Sequence, residues 1–414
     1  MKQKLSFLLI VPFYACNFIT GGGQRTSLIY QVLTSLGTVD VLVIGVEKKE
    51  YLPNFFPDVN ELYATENKKR GELGYWKLLR IFNAKIVDFI ARILGAQKES
   101  YKVDQQVSSF IHNQLNPYKY DFVVARYLKT VAISGYLDQV KVPVILDLDD
   151  RDDIVYESRA NRPDTNFISK LILKWHSSQI KEVLQDLLPK FQHIWVANHT
   201  DEREVQHFSK SLLPNIPYIK EEKSISIKED VQSKVILFVG SFKHRVNAEG
   251  IDIFVTQCWP HIYSAVEGVT FRIVGCGGWE SVRDKYKNIP GLNIKGFVRD
   301  LSQEYQQSAF TIAPLFEGGG SKIKVLESLY YQRTVVITKY VESGYEILKD
   351  KESFLVSSNY LEIIENCIDL LNNTKLRSQL AKNGHNKVIN HYSFKFFSSI
   401  IEQTISSLQT RQNK

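Results

Sequence analysis

The stretch 310–346, FTIAPLFEGGGSKIKVLESLYYQRTVVITKYVESGYE, reads as a strand, a glycine turn, a helix and a second strand. Residues 310–315 form a short apolar run containing Pro314, and TVVIT follows the helix as a second apolar run. Between them, Gly318, Gly319 and Gly320 open backbone conformations closed to other residues, so bare amides can approach a ligand closely. Ser321 is placed to cap a helix over 322–331, whose unpaired N–H groups and positive dipole end point at whatever fills the turn. An anion suits that geometry. Lys322 and Lys324 add positive charge, and Glu327 stands three residues beyond Lys324 on the same face, roughly 4.5 Å further along the axis. A phosphate followed by a ribose fits that spacing. The same residues also admit a plainer reading, with Lys324 and Glu327 as a surface ion pair and the glycines as only a loop.

GGGSKIKVLES followed by QRTVVIT resembles the signature of the GT-B glycosyltransferases of the GT4 type, in the variant with a GGG-S/T-x-I-K-x-L-E turn, and the match extends over most of the chain. The resemblance implies an α/β protein of two Rossmann-like domains facing each other across a cleft, with a C-terminal helix crossing back to the N-terminal domain. It implies retaining transfer of a sugar from a nucleotide-sugar, UDP- or GDP-linked, to a hydroxyl of a glycan or lipid-linked acceptor in envelope or exopolysaccharide synthesis. No essential metal and no cofactor are implied. Glu327 would hold the donor ribose, Gly318 to Lys322 the diphosphate and sugar, and Lys324 the leaving group. One departure stands out. The family's first glutamate, eight residues before the second, falls at Gly319, and Glu317 is out of register.

A chain of 414 residues is long for one core, so two domains of roughly 200 residues are expected: 1–213 for the acceptor, a linker at 214–233, 234–390 for the nucleotide-sugar, and a crossover helix at 391–414. A net charge of +7 suits a phosphorylated substrate, an anionic membrane or nucleic acid equally, and selects none of them. Four cysteines without CxxC spacing argue against a disulfide framework and a structural zinc site, and point to the cytoplasm. The opening MKQKLSFLLIVPFYAC imitates a secretory or lipoprotein signal, but Pro12 interrupts its apolar run and Phe13 stands where a lipoprotein signal prefers leucine. A buried first strand of a parallel sheet reads the same way. No run reaches the roughly 20 apolar residues of a transmembrane helix.

Along the chain, a strand at 5–11, a glycine triplet, a helix at about 24–36 and a strand at 39–46 make a βαβ opening. The contiguous glycines are not a dinucleotide fingerprint, but the resemblance places Gly22 and Gly23 facing the donor phosphates. Arg25 reads either as charge at that helix start or as a solvated first-turn residue. Residues 73–94 form a basic, aromatic amphipathic helix, suited to an anionic membrane surface at the inner face or to packing on its own domain. Strands at 120–125 and 142–148 end in Arg126 and in Asp147, Asp149, Asp150, Asp152 and Asp153. Ligands of open parallel sheets sit at such carboxyl ends, so Arg126 and Asp150 are the expected acceptor-binding residues. The carboxylates also invite a metal, but no glycine-spaced calcium loop is present. Residues 191–197 read as the last strand of the first domain, and LLPNIPYI resembles the family's turn into the linker.

After a strand at 235–239, the family places an arginine and a lysine that neutralise the diphosphate. The strict positions hold Ser241 and Val246, so Lys243 and Arg245 are the expected substitutes. Residues 294–297, then Val298 and Arg299, resemble the loop whose backbone reads the nucleobase. Other readings are a GT-B sugar phosphorylase, a nucleotide-sugar epimerase, or a non-catalytic basic protein binding membrane or nucleic acid. Nucleic acid is not expected, because the basic residues are scattered rather than clustered with stacking aromatics. Oligomeric state has no sequence signal here.

Overall fold

The computed structural model describes residues 4–47, 50–66, 98, 100–116, 119–138, 142–162, 165–218, 232–317 and 322–412. It divides the chain into two compact units, 1–214 with 397–414, and 215–396. The basic helix expected at 73–94 and most of the 214–233 linker lie outside the described residues.

The first unit is built on a seven-stranded parallel sheet: β1 Leu5–Pro12, β2 Gly37–Val46, β3 Leu62–Glu66, β4 Phe122–Arg126, β5 Val144–Leu148, β6 His193–Val196 and β7 Lys210–Leu212. Their order is β3-β2-β1-β4-β5-β6-β7. The N-terminal apolar run is therefore a central strand, in which Phe7 to Val11 are all fully buried, as expected when helices cover both faces of a sheet. β7 extends the sheet beyond the strand at 191–197 that sequence marks as last. At three residues it is too short to show a period.

The helix after β1 runs Gly21–Leu36, three residues longer than its apolar pattern suggests. Thr20 caps it, its hydroxyl accepting from the Gly23 amide at 3.2 Å. The glycine triplet is thus the helix's first turn and not a loop before it. The C-terminal helix Phe394–Gln412 packs into this unit through Phe397, Ile401, Ile405 and Leu408, spaced three or four apart. Trp195 Nε1 donates to Thr404 Oγ1 at 3.1 Å.

The second unit has a six-stranded parallel sheet: β8 Val235–Val239, β9 Thr270–Val274, β10 Leu292–Gly296, β11 Phe310–Ala313, β12 Val335–Thr338 and β13 Leu355–Ser357, ordered β10-β9-β8-β11-β12-β13. Phe238, Phe254, Trp259, Phe271 and Trp279 fill its core. Both sheets follow one plan. In each, the strand order reverses between the first and fourth strands, β1 and β4 in one and β8 and β11 in the other, and ligands of doubly wound sheets bind at the carboxyl ends beside such a reversal.

Candidate active site

In the second unit, the reversal point is occupied by the end of β8, the end of β11 and the helix Ile323–Tyr330. Gly318, Gly319, Gly320 and Ser321 lie outside the described residues. The helix starts one residue later than expected, with Lys322 at the capping position and no side-chain cap. Its apolar face, Val325, Leu326 and Leu329, is buried, and Ser328 ties it to the sheet by hydrogen bonds with Thr311 Oγ1 at 2.6 Å and Arg333 O at 2.8 Å.

That anchoring turns Lys324 and Glu327 to one side. Lys324 Nζ donates to Asn247 Oδ1 at 2.6 Å and lies 4.4 Å from the Phe238 ring centroid. A Cβ on Gly240 would come within 3.1 Å of that ammonium and 2.9 Å of the Asn247 amide nitrogen, so glycine leaves room for both side chains. Glu327 accepts from the Tyr305 hydroxyl at 3.4 Å, and Tyr305 stacks on Tyr331 with centroids 4.6 Å apart. The reading of the pair as a surface ion pair does not survive. The two groups do not bond to each other, and each is only partly exposed.

Protein crowding shifts both groups toward neutrality. Burial, with Lys322 adding like charge, lowers Lys324 to about 7 against a weaker opposing pull from Glu327. Burial raises Glu327 to about 7, opposed by the Tyr305 hydrogen bond and by Lys324. Nearby His244 is lowered by desolvation and then by Lys324, Lys322 and Arg245. Three cations acting on one imidazole mark a positive local field.

Asn247, Tyr305 and Arg333 carry no signal in the sequence. Arg333 is buried, and its guanidinium binds the carbonyls of Tyr305, Gln306 and Ser308, fixing the turn that carries Tyr305. Val298 packs into the same cluster as Tyr305, with Leu237 and Val274. Lys322 lies over the Tyr340 ring at 5.4 Å. Lys243 is exposed at the end of β8, its backbone beside Gly277. Arg245, one of the two expected substitutes for the diphosphate-neutralising cations, is paired with Glu249 and with Glu317. The out-of-register Glu317 therefore has a partner.

In the first unit, the reversal point holds a set of paired charges. Arg25 donates to Asp147 Oδ1 at 2.6 Å, Arg126 is bonded to the other oxygen of Asp147, and Arg126 also lies 3.3 Å from Asp149. Arg25, Arg126 and Asp147 are at most 1% exposed. Arg25 is therefore not a solvated first-turn residue, and its charge at the helix start is paired with Asp147. Arg126, expected to bind the acceptor, is buried and bonded to the two aspartates, to the Gly22 carbonyl at 2.8 Å and to the Tyr127 hydroxyl at 3.1 Å. Burial would raise Asp147, but the pull of Arg25 and Arg126 outweighs it and holds the carboxyl below its ordinary range.

A Cβ on Gly22 would meet the Tyr127 hydroxyl at 2.4 Å, and one on Gly23 would meet the Asn17 carbonyl at 1.9 Å. These glycines let the helix start pack on its neighbours. Asp150 is exposed and lines a cavity of about 110 Å³ with Tyr14, Tyr101 and Tyr127. Tyr127 holds φ 64°, ψ 131°, a strained backbone for a residue with a side chain. A larger cavity of about 690 Å³ opens beside it at the ends of β1, β2 and β3, where Phe13, Tyr14, Glu47 and Thr65 contribute. Asp152 accepts from the Tyr101 hydroxyl at 2.6 Å and Asp153 pairs with Arg151. Among the described residues, no three His, Cys, Asp or Glu side chains are grouped to hold a metal, and no helix is long and apolar enough to cross a membrane.

Comparison with known proteins points to one class. Residues 233–373 match the family model described as glycosyl transferases group 1, a span that contains the whole Lys324–Glu327 site. Among solved structures, TarM superposes with a TM-score of 0.66 at 10% identity, covering 98% of this chain and 99% of its own. Sucrose-phosphate synthase from Thermosynechococcus elongatus gives 0.64 at 13% identity, over 98% of this chain and 100% of that one. Anabaena HepE in complex with UDP-glucose gives 0.64 at 11%, over 97% and 100%. No curated protein sequence matches. The fold is the GT-B fold of two Rossmann-like domains, and the part of the chain that resembles group 1 glycosyl transferases lies within the second unit.

Proposed function

We propose that this protein is a glycosyltransferase that moves a sugar from a nucleotide-sugar to an acceptor hydroxyl, with the donor held by the second unit. The observation that carries the reading is the Lys324–Glu327 pair, recessed on one helix at the strand-order reversal of β8 and β11 in a positive local field. A diphosphate reaching Lys324 would restore its charge, and ribose hydroxyls would pair with Glu327. Charge grows on the diphosphate as the glycosidic bond breaks, so a cation placed there stabilises the transition state more than the ground state. Lys322 and the start of the helix add to that field. We place the nucleobase beside Val298, and the acceptor in the first unit near Asp150.

The GT4 type, retention at the anomeric carbon and a role in polysaccharide synthesis are part of this proposal, supported by the GGGSKIKVLES segment. A UDP-sugar is the favoured donor, because HepE, of the same fold, is recorded with UDP-glucose. No metal is needed in this reading, since Lys322, Lys324 and the helix start supply the positive field. A thermal-shift screen of UDP-, GDP-, ADP- and dTDP-sugars tests it. One nucleotide-sugar raises the melting temperature of the wild type and not of Glu327→Ala. No shift with any of the four refutes the donor site, and UDP release that never requires an acceptor favours an epimerase or a phosphorylase.

A further inference from the structure

The helix Phe167–Leu187 of the first unit has two apolar faces, and only one of them is buried. Ile180, Val183 and Leu184, with His176 and Ser177, are buried, and Tyr156 and Glu157 of the helix Asp152–Ala160 meet this helix at His176 and Lys181. At 100° per residue, Phe167, Leu171, Trp175 and Ile168 fall within about 100° of one another on the opposite side. They are 75%, 54%, 39% and 62% exposed. Asn166 caps the helix by accepting from the Ser169 amide at 2.9 Å, so this stripe stands on ordered backbone.

Along the length of the stripe the charged side chains of the helix are all basic, and acidic Glu182 and Asp186 follow beyond it, Glu182 paired with Lys98. From Thr165 to Lys181 the chain carries Lys170, Lys174 and Lys181 and no acidic residue. Lys181 pairs with Glu157, whereas Lys170 and Lys174, on the edge of the stripe, have no ion pair among the described residues. A stripe of four large apolar side chains exposed without a partner is uncommon on a soluble surface. Rimmed by lysines and ending in an indole, it matches an interfacial helix, whose apolar face enters the headgroup boundary while cations meet anionic lipids.

We propose that this face docks the first unit on an anionic lipid surface, with Phe167, Ile168, Leu171 and Trp175 inserting and Lys170 and Lys174 contacting headgroups. The test is cosedimentation of the full chain with vesicles of phosphatidylcholine alone and with added phosphatidylglycerol, at low and high salt. The wild type should bind the anionic vesicles at low salt. Lys170→Glu with Lys174→Glu should weaken binding on the order of tenfold or more, each cation near such a surface counting for about one e-fold to tenfold. Phe167→Ser with Leu171→Ser should abolish the binding that survives high salt. Phe167, Leu171 and Lys174 are exposed and Lys170 is partly exposed, so circular dichroism melts should match the wild type. Absence of binding at low salt, or binding that neither variant weakens, overturns the proposal. So does a dimer in light scattering that the Ser variant dissociates, since the face would then cover a second copy. Donor binding in the second unit is read separately by thermal shift, so either result stands without the other.

Discussion

Lys324 and Glu327 stand one helical turn apart on the same face of Ile323–Tyr330, yet each bonds elsewhere, the ammonium to Asn247 and the carboxylate to the Tyr305 hydroxyl. The pair is therefore held apart and poised near neutrality, with both groups shifted to about 7. An anion and a diol arriving together would change both protonation states.

Proton exchange should accompany donor binding, with a sign that depends on pH. A diphosphate favours the charged lysine and raises its pKa; hydroxyls donating to Glu327 favour the carboxylate and lower its pKa. Around pH 8, Lys324 is largely neutral beforehand, so binding takes up protons. Around pH 6, Glu327 is largely protonated beforehand, so binding releases them. Calorimetric titration of the nucleotide in two buffers of different ionisation enthalpy reads the sign. Zero exchange at both pH values would remove both residues from the donor site.

Glu327→Gln should separate binding from folding. The native carboxyl keeps its proton above the ordinary carboxylate range, so stability declines as pH rises from 4.5, its ordinary value, to about 7. The glutamine variant lacks that decline and melts no lower than wild type at pH 7. A hydrogen bond to a charged group contributes about 1.5–3 kcal/mol, so nucleotide affinity should fall roughly ten- to hundredfold. Lys324→Ala should lower kcat more than it raises KM. Unchanged kcat would make the lysine a uniform binder.

Asp147→Ala should be among the most damaging single changes in the first unit. It leaves Arg25 and Arg126 buried without their shared carboxylate, and breaking such a buried pair costs about 3–5 kcal/mol. The pH dependence has the opposite sense to that of Glu327. Asp147 lies below its ordinary value of 3.8, so its contribution is present above that pH and is lost as pH falls through the lower native value. Urea denaturation at pH 7 and pH 3 measures both effects. A loss under about 1 kcal/mol at pH 7 would show that the set is dispensable.

Gly23→Ala should destabilise through its backbone neighbour and not through any ligand. The new methyl would sit 1.9 Å from the Asn17 carbonyl, and relieving such a contact typically costs about 1–3 kcal/mol. A lower melting temperature with unchanged nucleotide affinity is the expected outcome. Unchanged stability with lost affinity would return Gly23 to the donor phosphates.

The strands at 310–313 and 335–338 and the helix at 323–330 were legible because their determinants are local. Apolar runs, a glycine triplet and a 3.6-residue period each lie within a few turns of chain, and both sheets follow from such runs. β3, β7 and β13 were not read, the last two being only three residues long. The candidate site was half legible. Lys324 and Glu327 announce themselves by spacing, but Asn247 lies 77 residues from Lys324, and Tyr305 is placed by the buried guanidinium of Arg333. Nothing in a linear pattern joins them.

The order of the chain alone determined most of the strands and which helix carries a cation three residues before a carboxylate. Tertiary structure decided what those side chains are. Arg25 is charge at a helix start or a solvated first-turn residue by local reading, and a buried partner of Asp147 only because a strand 122 residues away delivers the aspartate to it. Lys324 and Glu327 are an ordinary ion pair by spacing, and nearly neutral groups only because distant segments strip water from them. Desolvation and pairing depend on what surrounds a group in space, so charge state and function emerge where the fold brings those segments together.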